Sequence, residues 1–84
     1  MKQRHTVGRS RMTPKKRLLM RIRNHKSAAT VLRLRGLIGG ALRYEEELDR
    51  ERRTAQTHGW SNDAADAEER GVVEGHKAYM EHYK

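Results

Sequence analysis

The chain of 84 residues has no cysteine, no phenylalanine and a single proline. Without cysteine, neither a disulfide nor a thiolate zinc site can brace a chain this small. A core of this size contributes only about 3 to 5 kcal/mol, so stability must come from helix packing, a partner or self-association. Aromatic residues are scarce as well, and all four (Tyr44, Trp60, Tyr79 and Tyr83) fall at or beyond residue 44. Stacking of single-stranded bases on aromatic platforms therefore has no parts in the N-terminal half. Long apolar runs are missing too. The longest aliphatic or methionine run in that half is Leu18 to Met20, too short for a bilayer span or the core of a secretory signal. The expectation is a soluble, intracellular protein, cytoplasmic or nucleoid-associated, with no integral-membrane segment. An acid-free, arginine-rich start also has the composition of a mitochondrial transit peptide.

The most informative absence is that of acid. No Asp or Glu occurs before Glu45, whereas the same stretch holds thirteen bases: Lys2, Arg4, Arg9, Arg11, Lys15, Lys16, Arg17, Arg21, Arg23, Lys26, Arg33, Arg35 and Arg43. The remainder has six bases and eleven acids, and the whole carries +8. An ordinary solvated surface mixes the signs. A long one-signed run reads instead as a surface that meets a polyanion, with a merely soluble basic face as the plainer alternative.

Charged residues make up 36% and hydrophobic residues 35%, which suits exposed amphipathic helices rather than a thick core. The pattern predicts an all-α fold: a flexible basic arm over 1–12, then one small helical domain over 13–84. Thr13 before Pro14 is a helix start, since threonine caps free N–H groups and proline loses nothing at the first helical position. From there a short basic helix is expected to about residue 25, with Leu18, Leu19 and Ile22 on one arc and Lys16, Arg17, Arg21 and Arg23 on its flanks. Asn24 to Lys26 reads as a connection and Ser27 as the cap of a central helix over 27–58. Gly36, Gly39 and Gly40 each cost roughly 1 kcal/mol in a helix interior, so this helix is kinked there or broken in two, giving three or four helices in all. Gly59 suits a left-handed helix end, with Ser61 or Asn62 capping a last helix over 62–83. Folding that helix back as an antiparallel hairpin sets Val72 near Leu48, Gly75 near Tyr44 and Tyr79 near Ala41, large against small. Along the central helix, Glu46 with Arg50 and Asp49 with Arg53 are spaced for i,i+4 ion pairs.

Motifs with chemical content are few. Two helices joined near residue 25 would allow a helix-turn-helix with Ala28, Ala29, Thr30 and Arg33 facing base edges, although the turn lacks glycine. Gly36-Leu37-Ile38-Gly39 has the spacing of a Gly-x-x-Gly nucleotide clamp, but no strands flank it. No Gly-Lys-Ser/Thr follows, so a Walker loop is excluded. The five histidines are scattered, with His76 and His82 six residues apart on different faces, so no metal site is expected. With three serines, no cysteine and no histidine-carboxylate spacing of use, nucleophilic catalysis lacks its parts, and no enzyme and no cofactor are expected.

The expected function is therefore binding of nucleic acid, duplex DNA or structured RNA, through the phosphate backbone and largely without sequence readout. Arg9, Arg11, Lys15, Lys16, Arg17, Arg21, Arg23, Lys26, Arg33 and Arg35 are the expected contacts, in an accessory or regulatory role. The other reading is a non-enzymatic interaction module, an inhibitor or accessory subunit docking on an acidic protein surface, anchored by Leu18, Leu19, Ile22 or Trp60. Leu32, Leu37 and Leu42, on separate arcs, also make a homodimer an expectation.

Overall fold

The computed structural model describes residues 12–83, which form three helices: α1 (Pro14–Leu34), α2 (Ile38–Thr57) and α3 (Ser61–His82). The expected arm lies outside the described residues except for Met12. Helix α1 begins as its sequence dictates, with the Thr13 hydroxyl accepting the Lys16 N–H at 3.1 Å and Pro14 in the first turn.

The first helix is not short. It runs through Asn24, His25 and Lys26 without a break, so there is no connection at that point and Ser27 is no cap. The reason lies in the sequence: no glycine or proline falls between Lys15 and Arg35, and the inward positions Leu18, Ile22, His25 and Ala29 keep helical spacing across the segment. The helix-turn-helix reading falls with it. Ala29 is buried at 1% exposure in mid-helix, and Thr30 lies under Gly75 of α3.

The break comes at Gly36, which divides the expected 27–58 helix in two. Gly36 takes φ +81°, its N–H reaches Arg33 O at 3.0 Å, and the Leu37 N–H reaches Leu32 O at 2.8 Å. That pair of bonds satisfies carbonyls left over at a helix end, and it needs a residue free to adopt positive φ. Gly59 repeats the arrangement at φ +78°, with Gly59 N–H to Gln56 O at 3.1 Å and Trp60 N–H to Ala55 O at 2.8 Å. Neither Ser61 nor Asn62 caps α3; Trp60 occupies that position with no side-chain bond.

Helix α1 packs along both of the others, while α2 and α3 touch each other only sparsely. Lys15 opposite Asp63, Thr30 opposite Gly75 and Arg35 opposite Tyr83 show that α1 and α3 run parallel. His25 opposite Glu51 and Leu32 opposite Gly40 show that α1 and α2 run antiparallel. The expected contact of Gly75 with Tyr44 across an α2–α3 hairpin is thus replaced by contact with α1. A methyl group on Gly71 would sit 2.6 Å from the Arg23 carbonyl oxygen, and one on Gly75 would sit 2.8 Å from that of Ser27. Small residues on α3 bring it against backbone, and backbone is what α1 offers along Arg23 to Thr30.

The core comprises Leu18, Ile22, Leu48, Ala55, Ala64 and Ala67, with Leu19 and Trp60 packed against it. Trp60 closes its end, stacked on His58 with ring centroids 4.4 Å apart. Leu18 and Ile22 are 5% and 0% exposed, so in this fold they hold the bundle together and are not available as partner anchors. On α2 the ion pairs fall one residue short of the expected spacing, as Glu47 with Arg50 and Asp49 with Arg52. The one buried charged residue among those described is Glu51, whose carboxylate lies 2.8 Å and 3.1 Å from His25 Nδ1. The Tyr44 ring packs beside that histidine, with centroids 5.5 Å apart.

Gly71→Ala and Gly75→Ala each force helices apart and should cost about 1 to 3 kcal/mol. Gly39→Ala, whose added methyl meets open space, should instead stabilise by roughly 0.5 to 1 kcal/mol through helix propensity. Urea unfolding at unchanged m-value reads both. His25→Ala leaves the buried Glu51 carboxylate without its hydrogen-bond partner and should cost about 1 to 3 kcal/mol; Glu51→Gln, which keeps a polar partner for His25, should cost less in the same assay.

Candidate nucleic-acid interface

The fold sorts the basic residues of the N-terminal half into two sets. The first set faces neighbouring helices and is met by acids from the C-terminal half. Lys15 Nζ lies 2.7 Å from Asp63, Arg23 Nε 3.6 Å from Glu74, Lys26 Nζ 3.6 Å from Glu45, and Arg33 Nε 3.8 Å from Glu45. These pairs are partly exposed, so each is worth at most about 1 kcal/mol, but together three carboxylates meet four of the cations assigned to phosphate contact, Lys26 and Arg33 sharing Glu45. Arg23 is further committed, since its Nε is buried with no hydrogen-bond partner.

The second set points away. On a helix of 3.6 residues per turn, Arg17, Arg21 and Arg35 share one side of α1, turned away from its contacts with α2 and α3, while Lys16 lies toward the α3 edge. All four are exposed, and none has an acid partner among the described residues. Arg17 donates to the Met12 carbonyl at 3.0 Å, fixing it near the start of α1. The Arg35 guanidinium lies 4.5 Å from the centre of the Tyr83 ring, a contact that orients a cation without cancelling its charge. Arg43, exposed on α2, joins this set. Its place in the acid-free run was the signal that could have identified it. Arg9 and Arg11 lie outside the described residues.

A different surface lies between α1 and α3. A groove of about 260 Å³ has Lys16, Arg23 and Arg70 on its walls together with Asp63 and Asp66, over an apolar floor that includes Leu19. Carboxylates inside it make it a poor phosphate site. Among the described residues no group of three or more His, Cys, Asp or Glu side chains could hold a metal ion, and no helix is long and apolar enough to cross a membrane. Comparison with protein-family models, curated proteins and solved structures finds no match.

Where α2 and α3 do meet, Arg52 grips Glu68 through two bonds, Nε to Oε2 at 2.7 Å and the terminal nitrogen to Oε1 at 2.6 Å. Hydrogen bonding from Arg52 outweighs partial burial and holds the Glu68 carboxyl below the usual glutamate range, while the same bond raises the guanidinium. A carboxyl lowered in the folded state stabilises the fold above its unfolded value, about 4.3. That contribution drains away as pH falls through the lowered folded value. Unfolding followed from pH 7 downward should therefore show wild-type stability falling below about pH 4, with a shallower fall in Glu68→Gln.

Proposed function

We propose that this is a small helical protein that binds nucleic acid through the phosphate backbone, with α1 as the contacting element. The observation that carries the reading is the outward set Arg17, Arg21 and Arg35, exposed and without acids to neutralise it, while the bases beside it are met by acids of the other helices. Arginines in a row along one helix side deliver charge to phosphate oxygens and carry no base-specific pattern. The side also presents Asn24 and Ala28, short side chains that leave the arginines as its tallest features. Charge supplies affinity by releasing condensed counterions, so binding of this kind is steeply salt-dependent and tolerant of sequence. Relative to the ten contacts expected from sequence, the inward cations Lys15, Arg23, Lys26 and Arg33 take positioning roles within the fold.

A second reading is favoured by the α1–α3 groove. Its apolar floor and walls of both signs suit a protein side chain better than a phosphate, in keeping with a non-enzymatic module that docks on a larger protein. Trp60, half-buried on the core, remains the aromatic nearest that end of the bundle.

A salt series on labelled duplex DNA, single-stranded DNA and structured RNA distinguishes the two. Backbone binding gives a linear fall of log affinity with log salt, and Arg17→Gln or Arg21→Gln should each lower the slope by about 1 for every sequence tested. Lys15→Gln, whose charge is already met by Asp63, should leave the slope nearly unchanged. Absence of binding to all three ligands at low salt would overturn the nucleic-acid reading and leave the groove as the functional surface.

A further inference from the structure

At the end of the bundle away from Trp60, the turn between α1 and α2 exposes aliphatic side chains that nothing else in the described chain covers. Leu34 is 39% exposed, Leu37 46%, Ile38 45% and Leu42 50%. This is a concentrated tip, and the turn geometry fixes its apex. The positive φ of Gly36 and the bond from the Leu37 N–H to Leu32 O reverse the chain within three residues, leaving Leu37 and Ile38 at the bend. Side chains of this type in water are unfavourable by an amount proportional to their area, and a patch ringed by one kind of charge marks a binding site.

Here the unpaired flanking charge is arginine. Arg35 and Arg43 are exposed and have no acid partner among the described residues, while Arg33 is met by Glu45. Arg35 lies on the same outward side of α1 as Arg17 and Arg21, so the aliphatic tip forms the end of the basic stripe. A helix of 21 residues is about 30 Å long at 1.5 Å per residue, close to the roughly 34 Å of one duplex turn. A ligand that engages Arg17 and the tip together must therefore carry negative charge over most of that length. A second copy docked tip to tip would set Arg35 and Arg43 against their own kind. A-form RNA offers a wide, shallow minor groove displaying 2′-hydroxyls, to which aliphatic side chains have nothing to offer. Aliphatic wedges flanked by arginine are instead suited to the B-form minor groove, where they part a base step while the cations hold the phosphates beside it.

Building on the nucleic-acid reading above, we propose that Leu37 and Ile38 form a wedge that enters the minor groove of duplex DNA and unstacks a base step while α1 holds the adjoining backbone, so that this protein bends DNA. Leu34 and Leu42 would pack against the sugars on either side. Flexible pyrimidine–purine steps part most easily, so a site centred on TA should be preferred to a stiff A-tract even without base contacts.

The test uses the full chain and a duplex of roughly 25 base pairs, short against the DNA persistence length, carrying a donor and an acceptor dye at its ends. The wild type at saturation should raise energy transfer on a central-TA duplex, with affinity a few-fold higher than for an A-tract duplex of equal length. Leu37→Ala with Ile38→Ala should lose the rise in energy transfer while affinity stays within about threefold and the salt slope is unchanged. Both positions are exposed, and unchanged helical circular dichroism confirms folding of the double variant. Arg17→Gln with Arg21→Gln should do the reverse, weakening affinity while leaving the bend at saturation. Binding of the wild type without any change in energy transfer, or full bending by the Leu37, Ile38 variant, overturns the wedge while leaving backbone binding intact. Failure to bind duplex at low salt overturns both readings. A free dimer that Leu37→Ala, Ile38→Ala converts to monomer in sedimentation would make the tip a subunit contact and likewise overturn the wedge.

Discussion

The approach of α3 to the backbone of α1 at Gly71 and Gly75 governs the rest of the structure. At both positions a side-chain carbon would stand under 3 Å from a carbonyl oxygen of the facing helix, so the contact exists only because no side chain is there. Close backbone packing gains many dispersion contacts without large side chains, which matters where the only large, fully buried residues among those described are Ile22 and Leu48. The contact also places α1 centrally. With one side of α1 against α3 and another against α2, a single side is left to solvent, and Arg17, Arg21 and Arg35 occupy it.

The opposition between a basic first half and an acidic second half then takes on two meanings at once. Part of it is internal: Asp63, Glu74 and Glu45 come to Lys15, Arg23, Lys26 and Arg33 because chain reversal at Gly36 and Gly59 brings the halves side by side. Such exposed pairs add little stability singly. Their greater effect is on register, since a parallel α1–α3 pair shifted by a turn would lose Lys15–Asp63 and set Gly75 away from Thr30. The other part is external, because no acid among the described residues pairs with Arg17, Arg21 or Arg35 on the outward stripe. Charge that stays unbalanced on one side of a compact domain produces a field able to draw in a polyanion.

Much of the local structure was legible in the sequence. The all-helical class, the Thr13-Pro14 start and the Gly59 turn follow from capping chemistry and hydrophobic spacing alone. Residues 24–26 were misread because Asn and His are common in turns, although nothing in the segment forbids a helix and the inward spacing of Ile22, His25 and Ala29 passes straight through it. The pairing of helices was misread for a different reason. Size complementarity of Gly75 with Tyr44 is real on paper, but glycine accepts any close neighbour, and the sequence does not reveal that the neighbour is the backbone of a first helix twenty-one residues long. For the same reason the sequence does not separate paired from unpaired bases: a basic residue looks identical in sequence whether an acid from a distant helix reaches it or not. His25 was seen only as an isolated histidine, because Glu51 is 26 residues away and only the fold joins them.

The two chain reversals make the strongest contrast in the molecule, since they share one backbone solution and differ in what surrounds it. Both end a helix on a glycine with positive φ and the same pair of bonds to leftover carbonyls. At Gly59 the next residue is Trp60, which folds onto the core and closes it. At Gly36 the next residues are Leu37 and Ile38, which close nothing and face water at nearly half of their full exposure. Backbone geometry therefore does not require an open apolar end, because the same geometry supports a closed one elsewhere in the chain. Surface polarity does not require it either, since a serine or lysine at 37 or 38 would leave both turn bonds intact. Aliphatic residues at that apex, with the unpaired Arg35 and Arg43 beside them, are thus a property of the sequence that folding leaves unused, and the surface they form is continuous with the stripe of unpaired charge along α1.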